Sequence, residues 1–152
     1  MENKFIYTIS VRNKKIVSVL SDVGTNHFVS PVTKKGGKIY IVGKRRQIHY
    51  VGITRQPIRN RLYSGVKPNH AAGYHGYKWL VENGDHCLII WEFDDKANIE
   101  ALEAEVVHCL RINYGDWPEY QTEIHFHPTK DNERTLAKRI FQESDRIVRN
   151  FV

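Results

Sequence analysis

β-Branched and aromatic residues dominate the hydrophobic pattern over residues 5–11 and again over 16–20, with polar Arg12-Asn13-Lys14-Lys15 between them. Two such runs, broken by a polar turn, predict a β-hairpin. A connection bearing Gly, Ser, Asn and Pro follows from residue 21 to 37, marking the boundary between this hairpin and the main unit. A second hairpin is predicted over residues 38–42 and 47–53, around Gly43-Lys44-Arg45-Arg46. If Tyr40 pairs with Tyr50, Gly43 and Gln47 close a three-residue loop and both phenols project from one face. A slip of one residue would part them.

The period then changes to that of helices. Thr54 is placed to cap a helix with Pro57 in its first turn, where a missing N–H costs nothing. Ile58, Leu62 and Val66 line its inner side, and Arg59 and Arg61 project elsewhere. A second helix is predicted over residues 75–82, stopped at Asn83-Gly84. Residues 86–93 are nearly all apolar, the signature of a central strand covered on both faces. A long helix is predicted from Asp94 or Asp95 to Tyr114, with Gly115 as its stop and Leu102, Val106, Val107 and Leu110 at helical spacing. Residues 121–126 suggest a short edge strand. Residues 132–151 form an amphipathic helix with Leu136, Ile140, Ile147 and Phe151 near one stripe. The order predicts an α+β fold, a small mostly antiparallel sheet flanked by helices.

Length and charge narrow what such a fold does. The chain of 152 residues suits one domain with its own core. It has no charged-then-apolar leader pattern and no apolar run of the ~20 residues that a spanning helix requires. Cys87 and Cys109 form no CxxC, so reduced thiols are expected. Together these predict a cytoplasmic protein with no membrane partner. The net charge of +6 is unevenly spread: residues 1–78 hold 15 Lys and Arg against 2 acids, and residues 79–152 hold 8 against 15. A polyanion would be drawn to the first half. Aromatic residues interleaved with these cations favour nucleic acid. Lys44, Arg45, Arg46, Arg55, Arg59, Lys67 and Lys78 are the candidate contacts, with Tyr63, Tyr74 and Tyr77 as a wall beside them.

Hydrolysis of a phosphodiester needs a base for water, a cation on the phosphate and help for the leaving oxygen. Arg61 suits the second task, because a guanidinium grips phosphate oxygens in pairs and stays charged. Arg59 is the alternative. Glu103 precedes Val106 and Val107 by three and four residues, so it shares their inward side. An inward carboxylate is costly unless it holds a cation. One carboxylate completed by water and phosphate is how Mg²⁺ is usually bound. Glu100 and Glu105 read as solvated. His125 and His127 alternate without convincing further ligands, so they read as surface residues rather than a zinc site.

With these residues in place, the chain resembles the GIY-YIG nuclease superfamily over roughly residues 37–125. Lys38-Ile39-Tyr40 stands at the first signature and Tyr50-Val51-Gly52 at the second. Residues 54–62 resemble the helix with the phosphate-gripping arginine, and Glu103 the metal-binding glutamate. His75, with Lys78-Trp79-Leu80 and Asn83-Gly84, resembles a helix carrying a histidine near the site; His70 is a weaker candidate. The first signature glycine is Lys38 here, and Gln121 stands nearest the family's late asparagine. The resemblance implies a three-stranded antiparallel sheet at residues 37–126, with residues 1–36 as an added hairpin and connection and 127–152 as a helical extension. It also implies a DNA endonuclease using Mg²⁺ or Mn²⁺, with Tyr40, Tyr50, Arg61, His75 and Glu103 at the centre and Glu103 on the metal. Tyr40 is favoured as general base and Tyr50 as its partner. A homodimer is expected if both strands of a palindrome are cut. A catalytically silent nucleic-acid-binding module and a basic face that docks an acidic protein are the competing readings.

Overall fold

In the computed structural model, residues 3–65, 78–121 and 126–151 are described. They form one five-stranded antiparallel sheet with three α-helices. The strands are β1 (Asn3–Arg12), β2 (Lys15–Ser21), β3 (Lys38–Lys44), β4 (Gln47–Thr54) and β5 (Gly84–Glu92), in spatial order β2-β1-β5-β3-β4. The helices are α1 (Ile58–Gly65), α2 (Ile99–Tyr114) and α3 (Asp131–Arg149). No helix among the described residues is long and apolar enough to cross a membrane.

The apolar run of residues 86–93 is the middle strand, as its lack of alternation implied. β5 pairs with β1 from Asn3 to Val11 on one side and with β3 from Lys38 to Gly43 on the other. Cys87, Ile89 and Trp91 face α2 and α3, together with Ile39, Ile41, Val106, Leu110, Ile140 and Val148. The alternate residues Leu88 and Ile90 face a second core with Tyr7, Ile9, Tyr40, Ile58, Leu62 and Trp79. Phe28 and Val32, from the connection after β2, close that second core. The N-terminal hairpin is therefore continuous with the sheet, and its connection supplies core side chains. α3 is tied down by Trp91 Nε1, which donates to buried Ser144 Oγ at 2.9 Å. Gly43 lets it come close, since a Cβ there would meet both Val148 methyls at 2.6 Å.

The β3–β4 hairpin differs from the expected three-residue loop in two ways. Lys44 pairs with Gln47, so only Arg45 and Arg46 form the loop, both at positive φ (53° and 63°). That is the type I′ geometry, whose twist suits a two-residue hairpin. The register then shifts between Val42 and Gly43: Gly43 pairs with Ile48 and Val42 with Tyr50. His49 is left opposite no residue, as a β-bulge. A two-residue turn alone would put Tyr50 across from Ile41, on the face of α2 and α3. The extra residue turns it back. Tyr40 consequently pairs with Gly52 rather than Tyr50, and the two tyrosines sit diagonally on one face.

Element ends also differ from the pattern reading. Thr54 is the last residue of β4, and its Oγ1 accepts the Gln56 N–H at 3.0 Å, so it makes a local turn and α1 starts at Ile58. Asp94 Oδ1 likewise accepts from Lys96 N at 2.9 Å, which holds a turn, and α2 begins later with Asn98 accepting from Ala101 N. Gly115 stops α2 at φ 80°, as anticipated. Of the predicted helix over 75–82, Lys78–Val81 is a single 3-10 turn, and residues 75–77 lie outside the described residues. Gln121 and Phe126 are not in a strand; residues 122–125 lie outside the described set. On α3 the buried stripe is Ala137, Ile140, Phe141, Ser144 and Val148, with Leu136, Ile147 and Phe151 flanking it.

Candidate active site at the tyrosine hairpin

The ring of Tyr40 lies flat across its cross-strand partner, Gly52. A Cβ at position 52 would sit 2.5 Å from Tyr40 Oη and closer still to Cζ, so only glycine fits. The ring of Tyr50 is 6.0 Å from that of Tyr40 at an interplanar angle of 37°. Arg61, one turn into α1, donates from Nε to Tyr40 Oη at 3.2 Å. Arg59 takes a different course: it is exposed and stacks over the Tyr63 ring at 5.4 Å. Of the two candidate phosphate ligands, Arg61 is the one brought to the tyrosines.

Burial pushes the Tyr50 phenol well above its ordinary value, and a hydrogen bond to Tyr40 and the Glu103 carboxylate push the same way, with Arg61 opposing. Tyr50 therefore stays protonated, as the donor in its bond to Tyr40. The same interactions show that Tyr40, Tyr50, Arg61 and Glu103 share one neighbourhood, although they come from β3, β4, α1 and α2. Glu103 is half-buried on α2. One carboxylate in the same neighbourhood as a guanidinium is a donor set that suits Mg²⁺, which keeps most of its shell for water and other oxygens.

Three polar ties hold these elements in place. Arg55, just after β4, meets Glu100 in the first turn of α2 through paired contacts of 2.7 and 3.0 Å. Glu100 is thus engaged rather than simply solvated, and Arg55 is committed to it. The exposed pair adds at most about 1 kcal/mol, but it orients the helix that carries Glu103. Lys38, the first residue of β3, is fully buried. Its Nζ donates to the carbonyls of Lys34 (2.6 Å), Gly36 (2.9 Å) and Gln56 (3.2 Å), joining the chain before β3 to the loop that launches α1. Burial lowers the Lys38 pKa, with the Glu92 carboxylate opposing. Gln121 closes the outer edge of β4: its carboxamide accepts from Val51 N and donates to Val51 O, both at 2.9 Å. It replaces a strand neighbour with one side chain.

The predicted nucleic-acid contacts divide. Arg46 and Lys78 are exposed. Lys44 donates to Asp85 O at 3.0 Å, and Arg45 pairs with Glu82 and, at 3.3 Å, with Glu119. His75, Lys67, His70, Tyr74, Tyr77 and His125 lie outside the described residues. Cys87 and Cys109 are free thiols; burial pushes Cys87 up to about 12, the direction of an inert core thiol.

Sequence reading missed a second polar cluster, at the turn end of the same hairpin. The bulge residue His49 is buried, with His86 at 5.4 Å and Tyr120 at 5.2 Å between ring centres. Burial, then the charge of neighbouring groups, lowers His49 to about 3 and His86 to about 4. One signal was present. Ile48 and Val51 are both apolar and three apart, an odd step that strict alternation forbids and a bulge explains. No protein-family model, no curated protein and no solved structure matches this chain.

Proposed function

We propose that the chain is a metal-dependent endonuclease with a GIY-YIG-like centre, hydrolysing DNA phosphodiester bonds. The observation that carries this reading is the convergence of Tyr40, Tyr50, Arg61 and Glu103 from four separate elements onto one neighbourhood. A module kept only for binding needs cations on its surface; it does not need a half-buried carboxylate and a guanidinium beside two adjacent phenols. The arrangement of β3, β4 and β5 with α1 and α2 supports the same reading, with the N-terminal hairpin and α3 as additions.

The roles follow from the protonation argument. Tyr50 is held as a phenol and donates to Tyr40, so Tyr40 Oη, which also receives the Arg61 N–H, is the oxygen that acts as base: it first gives its own proton to solvent, and as the phenolate it takes the proton of the attacking water. As the water oxygen bonds to phosphorus, the 3′-oxygen leaves with the electron pair of the broken P–O bond. Arg61 binds the non-bridging oxygens and matches their growing charge. Glu103 would hold Mg²⁺ or Mn²⁺, which when bound would supply Lewis-acid stabilisation of the leaving oxygen. Gly52 and Tyr50 fix the Tyr40 ring.

Supercoiled plasmid with Mg²⁺ tests the proposal. Wild type should yield nicked and linear products, and Glu103→Ala and Arg61→Ala should each lose activity by about 10²-fold or more. Plasmid that is bound tightly yet left intact with either metal would overturn the enzymatic reading in favour of a binding module.

A further inference from the structure

The His49 cluster has no part in that reaction, and it holds an unusual set of groups. His49 is 1 % exposed, and neither of its ring nitrogens has a hydrogen-bond partner among the described residues. A buried polar atom without a partner is rare enough to need a cause. Its Nδ1 lies 3.9 Å from Glu82 Oε2. One ligand atom each from His49, Glu82 and Glu119 lies within 4.8 Å of the others. Glu82 is largely buried and Glu119 half-exposed at the rim.

We propose that His49, Glu82 and Glu119 form a binding site for one divalent transition-metal ion of the zinc type, separate from Glu103. One imidazole and two carboxylates are a nitrogen–oxygen donor set that suits Zn²⁺ and is poor for Mg²⁺, which wants oxygen alone. Three protein donors leave a fourth position for water. A neutral imidazole has the lone pair that such an ion requires, and burial keeps His49 neutral. Zinc–ligand bonds of about 2.0–2.2 Å require the donors to draw closer than they now stand.

Arg45 explains that spacing. Its guanidinium bridges Glu82 and Glu119, supplying a positive charge where the ion would sit. The residue is on the exposed tip of the β3–β4 turn, so its side chain can swing into solvent and release both carboxylates. The ion would then join three segments remote in sequence: the bulge of β4, the turn before β5 and the segment after α2. Tyr120 N already donates to His49 O at 2.9 Å, so the backbone there is prepared for the clip.

Chelator-treated full-length protein titrated with ZnCl₂ in a calorimeter tests this site. Wild type and Glu103→Ala should take up one equivalent with equal affinity, which separates the site from the proposed nuclease centre. Glu119→Gln, a rim change that spares the core, should weaken binding by at least about tenfold, the scale on which even outer-shell partners act. Arg45→Gln should tighten binding severalfold, and zinc should restore the thermal stability that this variant loses in chelator. The proposal is overturned if wild type takes up no zinc, if Glu119→Gln binds it as wild type does, or if Arg45→Gln weakens it.

Discussion

The two hairpins of this sheet are built alike and used differently. Each closes with a two-residue turn at positive φ, Asn13-Lys14 in one and Arg45-Arg46 in the other. Each then shifts register by one residue, leaving Val17 unopposed in β2 and His49 unopposed in β4. Val17 is 57 % exposed, whereas His49 is buried. The backbone device is the same; its consequence depends on what covers the strand. On β2 the bulge merely restores the apolar side of an edge strand. On β4 it turns Tyr50 toward Tyr40 and presses an imidazole between the 3-10 turn, His86 and Tyr120.

The tyrosines give the largest contrast. Tyr40→Phe should lower cleavage by about 10²–10⁴-fold, the range for loss of a general base, with little change in fold. Tyr50→Phe keeps the base and should cost less. Tyr7, in the other hairpin, accepts the Val29 N–H at 3.3 Å and meets the Phe28 ring edge to face. Tyr7→Phe should therefore reduce stability by about 1 kcal/mol and leave cleavage unchanged. Cleavage assays on the three variants under one condition check the order; a Tyr50→Phe defect larger than that of Tyr40→Phe would reverse the two roles.

The cross-strand partners of those rings come next. Gly52→Ala drives a methyl into Tyr40, so about 1–3 kcal/mol of stability should be lost to overpacking. A ring displaced by about 1 Å should also cost about 10²-fold in cleavage. The partner of Tyr7 is Ser21, whose Oγ accepts from Thr25 N at 2.9 Å and from Thr25 Oγ1 at 2.7 Å. Ser21→Ala should cost about 1 kcal/mol and no activity. Urea unfolding beside cleavage assays separates the two effects.

These two variants also mark how far the sequence could be read. Both hairpins were legible from β-branched and aromatic runs around polar turns, the central strand from its unbroken apolar run, and the helix bearing Glu103 and the C-terminal helix from their long apolar stripes. The shared face of Tyr40 and Tyr50 was legible for a less direct reason. The turn is one residue shorter than anticipated and the bulge adds one residue back, so the parity of the strand survives while the pairing moves to Gly52. Periodicity reports parity, not register. Thr54 and Asp94 were misplaced because short polar side chains cap turns as readily as helices. The Arg45–Glu82–Glu119 bridge joins residues far apart in the chain, and the seat of Lys38 adds the Gln56 carbonyl to two from the chain just before it; no periodic pattern encodes either.

Acid should expose the difference between the two bulges. The folded-state values of about 3 for His49 and about 4 for His86 lie below that of an unfolded histidine, ~6.5. The unfolded chain thus binds more protons than the folded one as pH falls. Their contribution is complete above pH ~6.5 and is lost as pH drops toward those lower values, at up to about 1.4 kcal/mol per pH unit for each histidine. The groups facing them, Lys44, Arg45, Glu82 and Glu119, modulate the slope. Urea midpoints from neutral pH down to about pH 5, in chelator, check it, with His86→Gln expected to remove one histidine's share. Val17→His would place an exposed imidazole at the matching bulge and should add no slope.

The turns themselves should give the smallest effects and the finest test. Lys14 and Arg46 occupy left-handed positions that glycine fills more easily, so Lys14→Gly and Arg46→Gly should each stabilise by about 0.5–1 kcal/mol. β1 and β3 both run antiparallel to β5, which puts the two turns at the same end of the sheet on either side of its central strand. General attraction of a basic surface for DNA would therefore make the two variants lose affinity equally. If DNA is seated along the β3–β4 hairpin, only Arg46→Gly should flatten the salt dependence of binding, by about one unit in the log–log slope for one lost phosphate contact. Two equal slopes would mean that charge alone draws the polyanion in, and that any selectivity must come from the tyrosine end of the hairpin.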